Sequence, residues 1–188
     1  MKQHRLPVQM TLCAVFAAIL CLCSPIAVPV GPIPVTLSVF AVLLCAVVLE
    51  WRAALVSVAV YLLLGLFLPV FAGGMTGISA FPGLTGGYIW SYPLMVLTVR
   101  GLQALVCRLA GSSGRRKARV EYFAALLGCV AALPVCYLCG AVQYALLAQT
   151  DLWRAAAVCV LPFLPVDLCK AAAASLLGVT VRNVIQKL

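Results

Sequence analysis

Charge is what this sequence has least of. Only 9% of its 188 residues are Asp, Glu, Lys or Arg, and just four of them are acidic. So little charge, at a mean hydropathy of +1.18, cannot dress the surface of a water-soluble domain. Histidine occurs once, near the N-terminus, which leaves the ten cysteines without the usual partners of a metal site. No Gly-Lys dipeptide is present, so a nucleotide-binding P-loop is excluded. The apolar runs do not alternate with polar residues, as the strands of a transmembrane barrel would. No activated nucleophile is paired with a base, so the chain does not read as an enzyme. The first apolar run lacks an A-x-A-like cleavage site, and "AILC" at Ala18–Cys21 is a poor lipoprotein signal because Leu20 is bulky. That run is read as a retained helix.

What is present is a set of six apolar runs, about Val8–Ala27, Val35–Glu50, Ala53–Pro69, Gly87–Leu109, Val120–Leu147 and Val166–Val184. A helix needs about 20 residues to cross ~30 Å of hydrocarbon, and the second and third runs fall short of that. The expectation is an all-α polytopic integral membrane protein of six transmembrane helices, one domain over residues 1–188. The basic excess, 13 Lys and Arg against 4 Asp and Glu, resembles a nucleic-acid signal until it is mapped. Lys2, Arg5, Arg52, Arg108, Arg115, Arg116, Lys117, Arg119, Arg182 and Lys187 all fall on one side of that topology; the opposite loops carry only Arg154. Basic residues collect on the cytoplasmic side, so both termini are predicted to be cytoplasmic. The charge sets topology, and no interleaved aromatic groove points to nucleic acid.

The loop between the third and fourth runs is unusual. "VFAGGMTGISAFPGLTGGY" (Val70–Tyr88) holds six glycines in nineteen residues and no charge. It is longer than a connector needs. Glycine lets backbone approach a ligand closely or take φ > 0 without steric cost. With Phe71, Phe81 and Pro82 among its glycines, the loop is read as a cover over a cavity, the alternative being a plain linker.

Polar chemistry is concentrated in "LPFLPVDLCKAAAASLL". Asp167 and Lys170 are three residues apart, hence on one helical face. Pro162 and Pro165 break the chain ahead of them, so the sixth helix is predicted to start near Asp167, with a separate short segment before Pro165. Ionisable residues near the membrane interior face a cavity or a partner. Two readings stand: a ligand clamp, or a mutually neutralising pair that eases insertion. Arg100 lies about 20 Å along the fourth helix from Gly87, a depth that favours snorkelling toward the inner interface. Ala14 and Ala18 form a small-xxx-small pair on the first helix, a surface that admits close contact with another helix. Cys136 and Cys139 form a C-x-x-C, readable as packing or as the centre of a membrane thiol oxidoreductase.

Four segments together resemble one family: "GPIPVTLSVFAVLL" (Gly31–Leu44), "YLLLGLFLPVFAGG" (Tyr61–Gly74), "LTGGY" (Leu84–Tyr88) and "PFLPVDLCKA" (Pro162–Ala171). In order and spacing they are similar to the biotin-specific substrate-binding (S) components of energy-coupling factor transporters, the BioY family, over nearly the whole chain. The resemblance implies a single transmembrane substrate-binding domain in a bacterial cytoplasmic membrane, taking up biotin from outside without a cofactor. It also implies association with a transmembrane coupling subunit and two cytoplasmic ATPase subunits, Ala14 and Ala18 matching the family's contact with the former. Thr85, Gly86, Gly87, Tyr88, Asp167 and Lys170 match the family's segments. On ligand chemistry, Asp167 suits the ureido N–H donors and Lys170 the carboxylate or ureido oxygen, with Tyr88 and Tyr144 flanking the rings. Ser38, Leu84 and Val166 depart from the family's usual Gln, Pro and Gly, which bears on affinity. Another vitamin within the same transporter class is the nearest alternative. A self-sufficient secondary transporter would predict an internal repeat, and residues 1–94 and 95–188 share none.

Overall fold

A computed structural model describes residues 5–111 and 115–185 of the chain. Lys2 and Lys187, used above for topology, lie outside the described residues, as does the lone His4. The described chain is helical apart from one small hairpin. α1 (Arg5–Cys23) leads through β1 (Ala27–Val28) and β2 (Val35–Thr36) to α2 (Ser38–Val48) and α3 (Trp51–Phe67). A 3-10 turn (Ala72–Gly74) and the short α4 (Gly77–Ala80) precede α5 (Gly86–Ala110) and α6 (Arg115–Leu147). α7 (Leu152–Cys159) and α8 (Leu164–Ile185) complete the chain.

Four stretches are long and apolar enough to cross a membrane: Trp51–Gly74, Gly86–Ala110, Ala118–Leu147 and Leu164–Ile185. α1 and α2 are shorter apolar helices. α2 is shorter than its predicted span, starting at Ser38 and not Val35. Pro32 and Pro34 disfavour helix over the residues before them. Val35 and Thr36 instead pair antiparallel with Val28 and Ala27. With 11 residues, α2 is about 17 Å long by the helical rise, far less than the hydrocarbon thickness. Its apolar character has another cause: nine of its residues are buried, and α1, α3, α5 and α8 surround it. A helix that is apolar all round belongs in a core. Gly178 on α8 is what lets that helix come close, since a Cβ there would meet Val47 of α2 at 2.6 Å.

Other boundaries follow local rules. α1 stops at Cys23, before Pro25, and not at Ala27. α5 ends on Gly111 in the left-handed conformation (φ 47°), where glycine carries no Cβ penalty. α7 is the separate short segment expected before Pro165. α8 starts at Leu164, earlier than expected, because proline's missing N–H is harmless in a first turn. The outward face is apolar, with Phe67, Leu109 and Ile78 among its most exposed side chains, as a lipid-facing surface requires.

Candidate functional site

The connections α1–α2, α3–α5 and α6–α8 meet at the end of the bundle opposite the basic loops, and a narrow cavity of about 40 Å³ lies beneath them. Its apolar wall is aromatic: Tyr61, Phe71, Tyr88, Tyr92 and Phe163. Tyr61 meets Phe71 edge-on at 5.3 Å and Tyr92 at 6.3 Å, while Tyr88 lies 6.3 Å from Phe163. Two helical glycines, one in the last turn of α3 and one inside α6, make room for this wall. A Cβ on Gly65 of α3 would land on the Phe71 ring, and one on Gly140 of α6 on the Tyr88 ring. Glycine costs about 1 kcal/mol relative to alanine inside a helix; here each admits an aromatic ring that alanine would displace.

The polar groups form one chain. Lys170 Nζ donates to Asp167 Oδ1 (2.8 Å) and to the Thr36 carbonyl (2.7 Å). The Tyr137 hydroxyl donates to the other carboxylate oxygen, Oδ2 (2.9 Å). On the far side of Lys170, the Thr36 hydroxyl is hydrogen-bonded to Ser38 Oγ, which also accepts from the Tyr92 hydroxyl (2.8 Å). Residues of α5, α2, β2, α8 and α6 are thus joined. Asp167 sits in the first turn of α8, where the helix dipole favours negative charge. Both members of the ion pair are buried. Burying them is tolerable because each charge has hydrogen-bond partners beyond the other. An ammonium has three donors, and two are committed within the chain. Ser24 Oγ, buried in the cavity wall, has no hydrogen-bond partner among the described residues.

The sequence-derived candidates divide. Thr85, Tyr88, Asp167 and Lys170 line the cavity. Gly86 and Gly87 are buried but not among its lining residues; neither has positive φ. They serve close packing instead: a Cβ on Gly87 would strike the Cys139 carbonyl of α6, and one on Gly86 the Phe81 carbonyl. The positive-φ glycines of the loop are Gly73 and Gly74. Tyr144 packs at the edge of the core, outside the cavity wall. Ala14 and Ala18 are exposed on α1, away from the cavity. Arg100 is half-buried and donates to Gln103 Oε1 (2.9 Å) one turn nearer the inner end. All ten cysteines are free; Cys136 is in the core and Cys139 is half-buried against Gly87, so neither presents the exposed thiol a dithiol centre needs.

Sequence reasoning missed Tyr92, Tyr137, Ser24 and the Thr36 carbonyl. Tyr137 and Tyr92 carry a weak signal, as hydroxyls in apolar helices that need a partner. The Thr36 carbonyl carries none, because a backbone acceptor is the same in every residue. A second, larger groove of about 480 Å³ lies between α6, α7 and α8. Apart from Tyr137 its wall is almost wholly apolar, so it offers nothing to orient a polar ligand.

Comparison with known proteins gives one consistent answer. The model of the BioY family matches residues 1–187. The probable biotin transporter BioY of Pyrococcus horikoshii is 34% identical over 171 residues, 90% of this chain and 93% of its own. The biotin transporter BioY of Thermotoga maritima is 32% identical over 176 residues, 93% and 96% of the two chains. A crystal structure of the S-component for biotin from an ECF-type ABC transporter superposes with a TM-score of 0.82, covering 97% of this chain and 95% of that one at 22% identity. At that identity the superposition speaks for the fold.

Proposed function

From the BioY family, to which this chain belongs, we propose that it is the biotin-binding S component of an ECF-type ABC transporter, a multi-pass membrane protein that binds and carries its substrate and catalyses no reaction. The observation that carries this reading is the buried Asp167–Lys170 pair at the edge of an aromatic cavity. Biotin offers two ureido N–H donors, a carbonyl, an apolar bicycle and a carboxylate. Asp167 retains acceptor capacity for the ureido donors, Lys170 meets the carboxylate or the ureido oxygen, and Tyr88 flanks the ring. At about 40 Å³ the cavity is far below the roughly 300–1,000 Å³ usual for small-molecule sites. Its wall therefore parts to admit a bicycle. The movable part is the α3–α5 connection, which contributes Phe71 and Ala72 and turns on Gly73 and Gly74.

The chain forms one transmembrane unit over residues 1–188, crossing six times with both termini in the cytoplasm. The charge asymmetry supports this, although α1 and α2 are the short members. The protein works with a transmembrane coupling subunit and two ATPase subunits, consistent with the absence of a P-loop from its own sequence. The test is thermal stabilisation of the detergent-solubilised protein by a panel of vitamins. Biotin alone is expected to raise its melting temperature; stabilisation by another vitamin and not by biotin would transfer the assignment within the class.

Ser24→Ala is expected to lower biotin affinity roughly two- to tenfold, the worth of one ordinary hydrogen bond, with an unchanged melting temperature. Titration calorimetry checks it. Ala14 and Ala18 form the docking face for the coupling subunit. Changing both to leucine is expected to leave binding intact while coupled uptake drops about tenfold, as loss of close helix contact implies. Radiolabelled biotin uptake at matched expression measures this; normal uptake would remove the docking assignment.

A further inference from the structure

Gln143, near the outer end of α6, has no part in the cavity wall. Its carboxamide reaches instead to the α3–α5 connection, where Nε2 donates to the Phe81 and Gly83 carbonyls, each at 2.8 Å. A primary amide has two N–H donors, and both are committed to this one loop. Gly86 makes the reach possible, since a Cβ there would strike both the Phe81 carbonyl and Gln143 Nε2. A Cβ on Gly87 would in turn meet Gln143 Cβ at 3.0 Å. The two glycines that open α5 thus keep a slot clear for one side chain of α6. The Phe81 ring is held as well, stacked on Trp90 of α5 at 4.7 Å and meeting Phe71 at 5.3 Å. Around Phe71 the bonding differs. The Phe71 N–H donates to the Met75 carbonyl (3.1 Å) and the Gly74 N–H to the Phe71 carbonyl (2.9 Å). These backbone bonds close on the turn itself, so it can lift without breaking one to α5 or α6.

Resting on the biotin assignment above, we propose that Gln143 is a positioning residue for the ligand. It bolts the Phe81–Gly83 half of the cover to α6, and only the turn from Phe71 to Met75 moves to admit biotin. Phe81 is then the fixed stop on which Phe71, a residue of the cavity wall, recloses. Without the bolt the whole connection has to be ordered when biotin binds. Affinity falls because that ordering is no longer done in advance. The loss belongs to release, since a looser cover does not obstruct entry.

The test uses the full chain in detergent, with two of its three tryptophans, Trp51 and Trp153, changed to phenylalanine so that Trp90 alone reports. Gln143→Met, added to this parent, keeps the length of the side chain and removes both donors. It is expected to raise the biotin off-rate about tenfold in stopped-flow measurements, the worth of one to two hydrogen bonds. The on-rate should change by less than about twofold, as most affinity changes fall on release. In the absence of ligand, Gln143→Met should shift the Trp90 emission, because Phe81 is no longer held against the indole. Biotin should leave the Trp90 emission of the parent unchanged, because neither Phe81 nor Trp90 moves. An unchanged off-rate in Gln143→Met, including one accompanied by fewer active sites, overturns the positioning role. Identical ligand-free emission in Gln143→Met and the parent overturns the bolt. A biotin-induced Trp90 shift in the parent shows that the Phe81 half moves and overturns the fixed stop. Should Gln143→Met fail to fold, the parent's response to biotin decides alone. The ligand-free emission does not depend on biotin, so a failed biotin assignment remains distinguishable from a failed bolt.

Discussion

Asp167→Asn is expected to lower biotin affinity roughly thirty- to several-thousand-fold in titration calorimetry. Truncating one member of a buried charged pair typically costs about 2–5 kcal/mol, partly because the other charge is left stranded. In this chain the stranded group is Lys170, whose remaining acceptor is the Thr36 carbonyl. The single variant therefore mixes a lost ligand contact with an unpaired ammonium. Lys170→Met and the double variant separate the two. If the pair touches biotin, both singles lose binding and the double variant does not recover it, even though no charge is then stranded. If the pair is only structural, the singles lose stability and the double variant regains stability and binding together. Full recovery would retire Asp167 and Lys170 as ligand contacts.

Gly87→Val is expected to abolish measurable binding while the protein still inserts. A Cβ there would meet the Cys139 backbone carbonyl, which cannot swing aside as a side chain can. α5 must then move off α6, carrying Tyr88 away from its seat at Gly140 and from the Cys159 carbonyl that its hydroxyl reaches at 2.8 Å. Overpacking of this kind costs about 1–3 kcal/mol, so a lower melting temperature should accompany the lost affinity. Gly73→Ala is the informative contrast. A Cβ there has nothing within 4 Å, and only its φ of 66° is strained. It should stiffen or strain the cover without parting the helices. Native affinity in Gly87→Val would mean that the α5–α6 approach does not position the site.

These variants mark how far the sequence could be read. The i, i+3 spacing of Asp167 and Lys170 predicts a shared helical face, and the two side chains meet at 2.8 Å. The glycine-rich loop reads as a cover, and Phe71 and Ala72 do line the cavity. Its last two glycines read as ligand-side backbone, but they serve helix packing, because a glycine's letter does not say which neighbour is close. That α2 is packed among other helices and not against lipid is not legible, since apolar side chains facing protein and facing lipid look alike in hydropathy. Tyr137 stands thirty residues from Asp167. No local pattern joins residues that far apart, so only the fold reveals the hydroxyl that donates to Asp167.

The bond from Lys170 to the Thr36 carbonyl spans 134 positions of the chain, and that fixes an order of events during synthesis. Domains leave the ribosome N-terminus first, at about 5–20 residues per second. When the hairpin and α2 emerge, neither their ammonium partner nor α8, the helix that α2 packs against most, yet exists. The cavity has no charged member until α8 follows, because Asp167 and Lys170 both belong to that final helix. A chain truncated before Pro162 would keep most of the aromatic wall and lack the Asp167–Lys170 pair. The two charged groups of the proposed site are thus made after the hairpin, α2 and most of the aromatic wall that they meet.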